Sequence, residues 1–529
     1  MPQAIAHGLQ LARAEPALLI FPVDKCSKGG EDVAKGLLVA GTTSDAGKSL
    51  VTAGLCRWLA RQGVSVAPFK AQNMSNNSMV CADGSEIGRA QWVQAVACGV
   101  VPEAAMNPVL LKPGSDLRSH VVLMGRSWGE LEAGEWATAR KVLAQKAFEA
   151  FRDLSSRFDV VIAEGAGSPA EINLREGDFV NMGLARAVDL PVVVVGDIDR
   201  GGVLAAMYGT LALLDAGDQA HIRGWIINKF RGDLSLLEPG LRMLEERTSR
   251  PVLGTLPFLY DVWLDGEDAL AISGWSGGSS AASTAVSVVG TTLSVAVVRF
   301  PRVSNATDVD ALAAEPGVDV RVTADPDVVA RADLVVLPGS RATLSDLAWM
   351  RSRGLDEAVL LRVAAGRPVL GICGGYQMLA DSIEDPEGVE HRSAQTVAGL
   401  GLLPIRVRFD VDKHLGQPVG QWRGNAVTAY AIHHGVASRT PDGVEAVPFL
   451  DGWQSGPVWG TAWHGAFEND GFRRAFLTEV ASQAGVRWRA DPSAPGFASR
   501  REAMLDRLAD AIDEHLDTGA LKRIVGIDV

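Results

Sequence analysis

Several features are scarce in this 529-residue sequence, and each scarcity excludes a class of protein. The five cysteines, at positions 26, 56, 81, 98 and 373, are odd in number and lack metal-site spacing, which argues against a zinc module or a disulfide framework. Lys and Arg number 50 against 63 Asp and Glu, and a net charge of −13 disfavours nucleic-acid and anionic-membrane partners. No apolar run reaches bilayer length. We therefore expect a cytoplasmic protein with no nucleic-acid or membrane partner.

What is present is an ordinary globular composition, with 47% apolar and 21% charged residues, and a length that allows two to four domains. From Ser273 to Thr292 the residues are mostly Gly, Ser, Ala and Thr, which is typical of a flexible linker. With this stretch as a domain boundary, we predict an N-terminal extension over residues 1–34, a first domain over 35–258, a linker over 259–292 and a second domain over 293–529. The oligomeric state is left open.

The first domain is organised around a loop that joins an apolar run, residues 36–40, to a segment with helical apolar spacing. Unpaired N–H groups and a positive dipole at a helix N-terminus suit phosphate, while a lysine adds charge and a serine hydroxyl suits Mg²⁺. We therefore predict a nucleotide site with Mg²⁺ at residues Gly41, Thr42, Thr43, Ser44, Asp45, Ala46, Gly47, Lys48 and Ser49. The alternative is a tight strand-to-helix turn that binds nothing.

The spacing of this loop departs from the usual phosphate loop. Five residues separate Gly41 from Gly47, and Thr42 stands where the first glycine is expected. This form resembles the loop of the dethiobiotin synthetase type of ATP-dependent, carboxylate-activating enzyme.

Polar side chains follow several apolar strands, where open parallel sheets bind ligands. Lys70 is a candidate phosphate contact, Glu164 a candidate Mg²⁺ ligand and Asn228 a candidate reader of a nucleotide base. The alternatives are a solvated lysine at 70 and a carboxylate that caps the next turn at 164. Residues 106–113, with two prolines, read as an irregular loop. Repeated strand and helix predict a doubly wound α/β fold.

Six segments carry a closer resemblance: GTTSDAGKS, PFKAQNMSNNS, EIGRAQ, MNPVLLKP, EGAGSPAEIN and GDIDRGG, which span most of residues 36–255. They resemble the cobyric acid synthases, the glutamine-dependent amidating enzymes of cobalamin biosynthesis. The resemblance implies that Gly41 to Ser49 bind ATP and that Glu164 assists the metal.

The second domain contains a candidate nucleophile at the end of an apolar strand. Cys373 lies between Gly371 and the pair Gly374–Gly375, a pattern that allows the strained turn of a nucleophile elbow. A helix N-terminus beside the thiol favours its reactive thiolate form. The alternative is an inert, buried cysteine.

Three histidines are candidate bases for this thiol: His433, His434 and His464. Their positions alone do not separate them. The segments LPGS, GICGGYQML and GTAWHGAFEND resemble the class I glutamine amidotransferase domain, an α/β domain in which Cys373 and His464 fall on catalytic positions. The N–H groups of Gly339 and Gly374 are then candidate oxyanion donors.

Two positions depart from the amidotransferase pattern. Ala466 replaces the carboxylate expected two residues after the histidine, so we expect a Cys–His dyad and assign no role to Glu468 or Asp470. Ala431 stands where the related pattern has Glu, which predicts only a structural role for its turn. Near the C-terminus, residues 500–512 have helical apolar spacing and predict a helix packed on the second domain.

The resemblance implies a reaction with three small-molecule substrates: ATP, L-glutamine and a corrinoid. The implied acceptor is adenosylcobyrinic acid a,c-diamide, amidated at its b, d, e and g carboxylates to give adenosylcobyric acid. One alternative is a cobyrinic acid a,c-diamide synthase, with the same domains and other carboxylates. A second alternative is a non-catalytic, nucleotide-switched protein, which would need no thiol site.

Overall fold

A computed structural model describes residues 35–115, 118–132, 136–260, 262, 292–390, 393–441 and 445–527. The predicted N-terminal extension and most of the predicted linker lie outside these ranges. From residue 35 onward the described chain forms one compact unit, in which we distinguish a first lobe up to residue 260 and a second lobe from residue 292. No helix in the described ranges is both long and apolar enough to cross a membrane.

The first lobe alternates strands and helices along the chain. Its strands are β1 (Gly36–Gly41), β2 (Val66–Phe69), β3 (Gln72–Met74), β4 (Ser78–Val80), β5 (Glu86–Gly88), β6 (Val109–Ser115), β7 (Arg118–Leu123), β8 (Arg126–Glu132), β9 (Val160–Glu164), β10 (Val192–Asp197), β11 (Ile222–Phe230) and β12 (Val252–Pro257). Its helices are α1 (Lys48–Arg61), α2 (Arg89–Cys98), α3 (Trp136–Arg157), α4 (Met182–Val188), α5 (Val203–Leu213), α6 (Ala216–His221) and α7 (Leu234–Thr248).

Six of these strands form a parallel sheet in the order β12-β11-β10-β1-β9-β2. The central strands are apolar on both faces because two separate hydrophobic clusters, one on each side, cover them. The carboxyl ends of β1, β9 and β10 therefore lie side by side at one edge. The predicted doubly wound fold is confirmed, and this edge carries the phosphate loop.

A smaller sheet, in the order β3-β6-β7-β8, corrects one prediction. Residues 106–113 do not form an irregular loop, because Val109 to Leu111 are fully buried and pair with β3 on one side and β7 on the other. Pro113 lies beyond the residues that pair with β3, so its missing N–H costs no bond on that side. The prediction of a loop gave too much weight to the two prolines.

The second lobe has fourteen strands and eight helices in the described ranges. Its strands are β13 (Leu293–Val298), β14 (Val318–Thr323), β15 (Leu334–Leu337), β16 (Val369–Ile372), β17 (Ser382–Asp385), β18 (Gln395–Ala398), β19 (Ile405–Gly416), β20 (Val419–Trp422), β21 (Asn425–Thr428), β22 (Tyr430–Arg439), β23 (Val447–Phe449), β24 (Gly452–Ser455), β25 (Val458–Thr461) and β26 (Trp463–His464). Its helices are α8 (Asp310–Ala313), α9 (Pro326–Arg331), α10 (Thr343–Ser352), α11 (Leu355–Ala364), α12 (Gly374–Met378), α13 (Asp470–Ala484), α14 (Phe497–His515) and α15 (Thr518–Val525).

A seven-stranded sheet, in the order β14-β13-β15-β16-β25-β24-β23, forms the centre of this lobe. Its first five strands are parallel, and β24 and β23 are antiparallel additions at one edge. A five-stranded sheet, β18-β17-β19-β22-β26, lies beside it. The predicted α/β architecture is confirmed, and the thiol at 373 follows the central strand β16 directly.

Helix α14 packs on both lobes, so the prediction that it packs on the second domain was only partly right. Its first residue, Phe497, lies in the hydrophobic cluster of the second lobe, but the rest of the helix packs on the first lobe. Its apolar face joins the hydrophobic cluster of α1 in the first lobe, where Leu508 and Ile512 meet Gly54 at close range. Ion pairing supports this contact, since Arg57 Nε lies 2.8 Å from Asp506 Oδ1. The spacing of α14 predicted an amphipathic helix, but periodicity carries no information about which partner covers the apolar face.

Candidate active sites

The phosphate loop joins β1 to α1 in the first lobe. Gly47 adopts a left-handed conformation with φ of 93°, which a side chain would strain, and α1 begins at the next residue. The Lys48 ammonium is buried and donates to the carbonyl oxygens of Thr43, Ser44 and Gly167 at 2.9, 3.1 and 3.2 Å. A buried cation over a ring of backbone groups at a helix N-terminus fits a bound phosphate.

The carboxylate predicted to hold the metal is fully buried beside this loop. Glu164 accepts hydrogen bonds from Ser49 Oγ at 2.8 Å, from Lys70 Nζ at 2.9 Å and from Gln94 Nε2 at 2.6 Å. Burial alone would raise the pKa of Glu164, but the adjacent Lys70 and the hydrogen bonds lower it below its usual value. Glu164 is therefore an ionised acceptor, and both alternatives, a solvated Lys70 and a turn-capping Glu164, are wrong.

The neighbouring strand ends support the loop from the other side. Asn228 Nδ2 donates to the carbonyl of Ala46 at 2.9 Å, so this amide group holds the loop in place, and its reading of a base stays a prediction. Lys229 Nζ donates to Asp45 O and to Asp197 Oδ2, both at 2.8 Å. Asp197, the last residue of β10, is thus linked to the phosphate loop through Lys229.

A cavity of about 360 Å³ opens beside the loop. It lies between the segment after β9 and one face of the small sheet, and we call it the nucleotide-side cavity. Gln72, Leu111, Arg140, Ser168 and Asn181 are among the residues that line it.

The candidate nucleophile has the predicted elbow geometry. Cys373 has φ of 49° and ψ of −109°, and helix α12 begins at Gly374. A side chain at Gly375 would collide with the Leu337 carbonyl, and one at Gly374 would press against Ser340. The small neighbours therefore permit the strained turn. The backbone strain lies at Cys373, the position where a reactive group is expected.

His464 has a carboxylate partner that the sequence did not predict. Its Nδ1 lies 2.6 Å from Asp308 Oδ2, and the N–H of Gly465 donates to Asp308 Oδ1 at 2.8 Å. Asp308 and His464 are both buried, and Tyr430 stacks on the imidazole with ring centroids 5.3 Å apart. The expected Cys–His dyad is therefore wrong: a carboxylate orients the histidine, but it comes from another part of the chain.

The charge state of His464 follows from these neighbours. Burial opposes protonation, but the Asp308 carboxylate and the Cys373 sulfur outweigh it and raise the pKa of His464 to about 10. His433 and His434 differ, because burial lowers the pKa of each to about 4. Among the three candidate histidines, only His464 combines a carboxylate partner with the thiol.

Asp308 was missed because it lies 156 residues before His464 and far from any motif. It sits in a short 3₁₀ turn, Ala306–Val309, after β13. The two acids near the histidine have other partners: Glu468 pairs with Arg89 and Arg501, and Asp470 pairs with Arg473.

The two predicted oxyanion donors lie next to each other. Gly374 is the first residue of α12, so its N–H has no partner within that helix. A side chain at Gly339 would meet His464 Cε1 at 3.1 Å, which places this glycine against the imidazole. Their role as oxyanion donors stays a prediction.

A cavity of about 50 Å³ lies over the thiol, and both lobes line it. We call it the thiol-side cavity. Cys373, Arg341 and Glu390 line it from the second lobe, and Asn76 and Lys112 line it from the first. Successive residues of a strand point to opposite faces. Lys112 is therefore on the face of β6 opposite Leu111, and a single strand separates the two cavities.

Hydrogen bonds and ion pairs hold the lobes together around this strand. The Asn305 side chain accepts from the N–H of Ser78 at 2.9 Å, and the Asn77 side chain accepts from the N–H of Ala306 at 3.1 Å. The buried Glu86 carboxylate pairs with Lys112 of the first lobe and, at 2.6 Å, with Lys413 of the second. The first lobe thus holds in place the turn that carries Asp308.

Comparison with known families agrees with this geometry. A model of the CobQ/CobB/MinD/ParA nucleotide binding domain matches residues 37–269, and a model of the CobB/CobQ-like glutamine amidotransferase domain matches residues 294–472. The two domains define the class of protein, an ATP-dependent, glutamine-hydrolysing ligase.

Relatives extend the match to nearly the whole chain. The cobyric acid synthase of Cutibacterium acnes is 57% identical over 490 residues, which cover 93% of this chain and 99% of that protein. Those of Mycolicibacterium gilvum and Mycobacterium marinum are 59% and 58% identical, each covering 92% of this chain and 96% of the relative. The chain belongs to the cobyric acid synthase family of cobalamin biosynthesis.

Proposed function

We propose that this enzyme amidates the b, d, e and g carboxylates of adenosylcobyrinic acid a,c-diamide, using one ATP and one glutamine in each round. The observation that carries the proposal is the pair of cavities on opposite faces of β6, one beside the phosphate loop and one over the thiol. The acceptor carboxylate would be activated on one face of β6, and ammonia would be released on the other face.

The first half-reaction prepares the acceptor. A carboxylate is a poor acylating agent, and transfer of the terminal phosphoryl group of ATP converts it into an acyl phosphate with a good leaving group. Lys48 and the N–H groups at the start of α1 stabilise the charge on the phosphates. Ser49 and Glu164 would hold Mg²⁺, which neutralises phosphate charge when bound. Lys70, which pairs with Glu164 at 2.9 Å, adds a positive charge beside this site.

The second half-reaction releases ammonia. The Cys373 thiolate attacks the side-chain amide of glutamine, and the oxyanion is stabilised by the N–H groups of Gly339 and Gly374. The protonated His464 donates its proton to the leaving nitrogen, and ammonia departs. Water then hydrolyses the thioester to glutamate and regenerates the thiol. Asp308 keeps the imidazole oriented throughout.

The thiol-side cavity also offers groups for the amino-acid head of glutamine. Arg341 presents a guanidinium for the α-carboxylate, and Glu390 presents a carboxyl group for the α-ammonium. Burial raises the pKa of Glu390 to about 7, and a bound ammonium would favour its charged form.

A reducing cytoplasm suits this chemistry, because Cys373 must stay a free thiol. The other described cysteines, Cys56, Cys81 and Cys98, are also free and buried.

The test is mass spectrometry of a reaction with ATP, Mg²⁺, glutamine labelled with ¹⁵N in its amide, and a corrinoid. Adenosylcobyrinic acid a,c-diamide should gain four labelled nitrogens. Cobyrinic acid, offered in parallel, should gain none at its a and c positions. Two labels at a and c, with no reaction of the diamide, would identify a cobyrinic acid a,c-diamide synthase instead.

A further inference from the structure

The nucleotide-side cavity has walls of two kinds. Leu111, Phe179 and Val180 supply apolar surface, while Gln72 and Ser119 supply an amide and a hydroxyl. Its volume of about 360 Å³ is within the range of small-molecule sites, yet too small to enclose a whole macrocycle. It therefore suits one edge of a large ligand that combines an apolar plane with polar side chains.

One cation in this wall is available to a ligand. Arg140, on α3, lines the cavity half-buried and has no hydrogen-bond or ion-pair partner among the described residues. Its guanidinium lies over Gly177, where any side chain would collide with it. Arg175, which also lines the cavity, differs because Asp218 holds it at 2.5 and 2.7 Å. Arg140 can therefore bind an anion without breaking a contact.

A second polar group shapes the same wall. Asn181 lines the cavity and is only 5% exposed, and its Nδ2 donates to the Ala166 carbonyl at 2.6 Å. Its Oδ1 is buried without a hydrogen-bond partner in the described part of the chain. This oxygen lies against Gly165 and has almost no exposed surface, so Asn181 fixes the shape of the cavity wall and does not itself contact a ligand.

The cavity also lies where an acceptor must lie. Gly167 accepts a hydrogen bond from Lys48 Nζ at 3.2 Å, while its neighbours Ala166 and Ser168 line the cavity. One short segment therefore contacts the phosphate-loop lysine and forms the cavity wall. A carboxylate bound against this segment is close to the terminal phosphate of ATP.

We propose that the nucleotide-side cavity binds the edge of the corrinoid acceptor and that Arg140 recognises a carboxylate that is not reacting in that round. This inference rests on the proposed function, because it assumes an acceptor with several carboxylates. A guanidinium binds a carboxylate more strongly than an amide. Each completed amide therefore removes a group that Arg140 can bind, and the fully amidated product loses this anchor.

The test compares two acceptors in steady-state amidation with saturating ATP and glutamine. In Arg140→Gln, the KM for the a,c-diamide, which has four free carboxylates, should rise about tenfold or more. The KM for the intermediate with one remaining carboxylate should change less than about threefold, since no spare carboxylate exists to be recognised. Arg140→Lys should restore part of the affinity for the diamide.

Two further variants keep the result interpretable. Arg152→Gln, an exposed arginine on the same helix, should leave both KM values unchanged. Leu174→Trp adds bulk at the cavity rim, where the side chain is 47% exposed, and should raise both KM values.

The outcomes separate this inference from the proposed function. If the wild-type enzyme amidates the diamide but Arg140→Gln raises the KM of both acceptors equally, Arg140 is only structural and the inference fails. If Arg140→Gln and Leu174→Trp leave both KM values within about twofold, the cavity is not the acceptor site. If Arg140→Gln does not fold, an unchanged KM in Leu174→Trp still overturns the inference. Failure of the wild-type enzyme to amidate the diamide removes the proposed function and this inference together.

Discussion

The nucleotide site and the thiol site are assembled in different ways. The phosphate loop is one contiguous stretch whose lysine binds carbonyl oxygens of its own loop, Thr43 and Ser44. The thiol site draws Asp308, Cys373 and His464 from three distant segments, and the first lobe clamps the turn that carries Asp308.

This difference has a functional consequence. The residues placed at the nucleotide site all belong to the first lobe, whereas the thiol site also uses contacts between the lobes. We therefore expect the loss of a contact between the lobes to affect ammonia production more than phosphoryl transfer. Variants that separate the two half-reactions test this asymmetry directly.

The largest effect is expected from Cys373→Ser. Without the thiolate no thioester forms, so glutamine-dependent amidation should fall by about 10⁴-fold or more. Amidation with ammonium chloride in place of glutamine should continue, because the first lobe is intact. Cys81→Ser, another buried and free cysteine, is the matched control. Equal loss with both nitrogen sources would show that the two sites are not separable.

Asp308→Asn should lower glutamine-dependent amidation by about 10³-fold. The asparagine keeps the shape of the side chain but no longer stabilises the imidazolium, so the pKa of His464 should fall from about 10. The alkaline limb of the glutaminase pH profile should then move to lower pH. Asp319→Asn, in a surface pair with Arg321, is the control. An unshifted limb would contradict the role assigned to Asp308.

Cys373 and Asp308 show which residues of the site can be predicted from the sequence. Cys373 was predictable because its strain, its flanking glycines and its helix are all local. Asp308 was not, because its role depends on a hydrogen bond between segments 156 residues apart, and no periodicity or spacing encodes that pairing. The same limit explains why α14 was predicted as a helix but only its first turn packs on the lobe to which it was assigned.

The strands of the sheets show the same difference between local features and long-range contacts. Parallel strands buried on both faces were predicted from their apolar runs, whereas β6 was read as a loop because two prolines outweighed three buried aliphatic residues. The sequence therefore predicted the strands that any apolar surface can cover. The prediction failed for β6, whose structure depends on particular neighbouring strands.

Lys48→Ala should reduce amidation about 100-fold with either nitrogen source, because the lost charge stabilises the transferring phosphoryl group. Hydrolysis of glutamine in the absence of acceptor should persist, since the thiol site has its own residues. Lys146→Ala, an exposed lysine on α3, is the control. Full activity with ammonium chloride would exclude the phosphate loop from the reaction.

The smallest effect, and the sharpest test of the asymmetry, is expected from Asn77→Ala in the first lobe. This change removes the acceptor for the Ala306 N–H, 3.1 Å away, and loosens the turn that carries Asp308. Glutamine-dependent turnover should fall about tenfold. Turnover with ammonium chloride should stay within about twofold, because Asn77 is absent from the lining of the nucleotide-side cavity and from the phosphate loop. The pH profile of glutamine hydrolysis should shift in the same direction as in Asp308→Asn, because both changes weaken the hold of the carboxylate on His464. An equal loss with both nitrogen sources would mean that Asn77 supports the first lobe itself, and the proposed dependence of the thiol site on the lobe contact would be wrong.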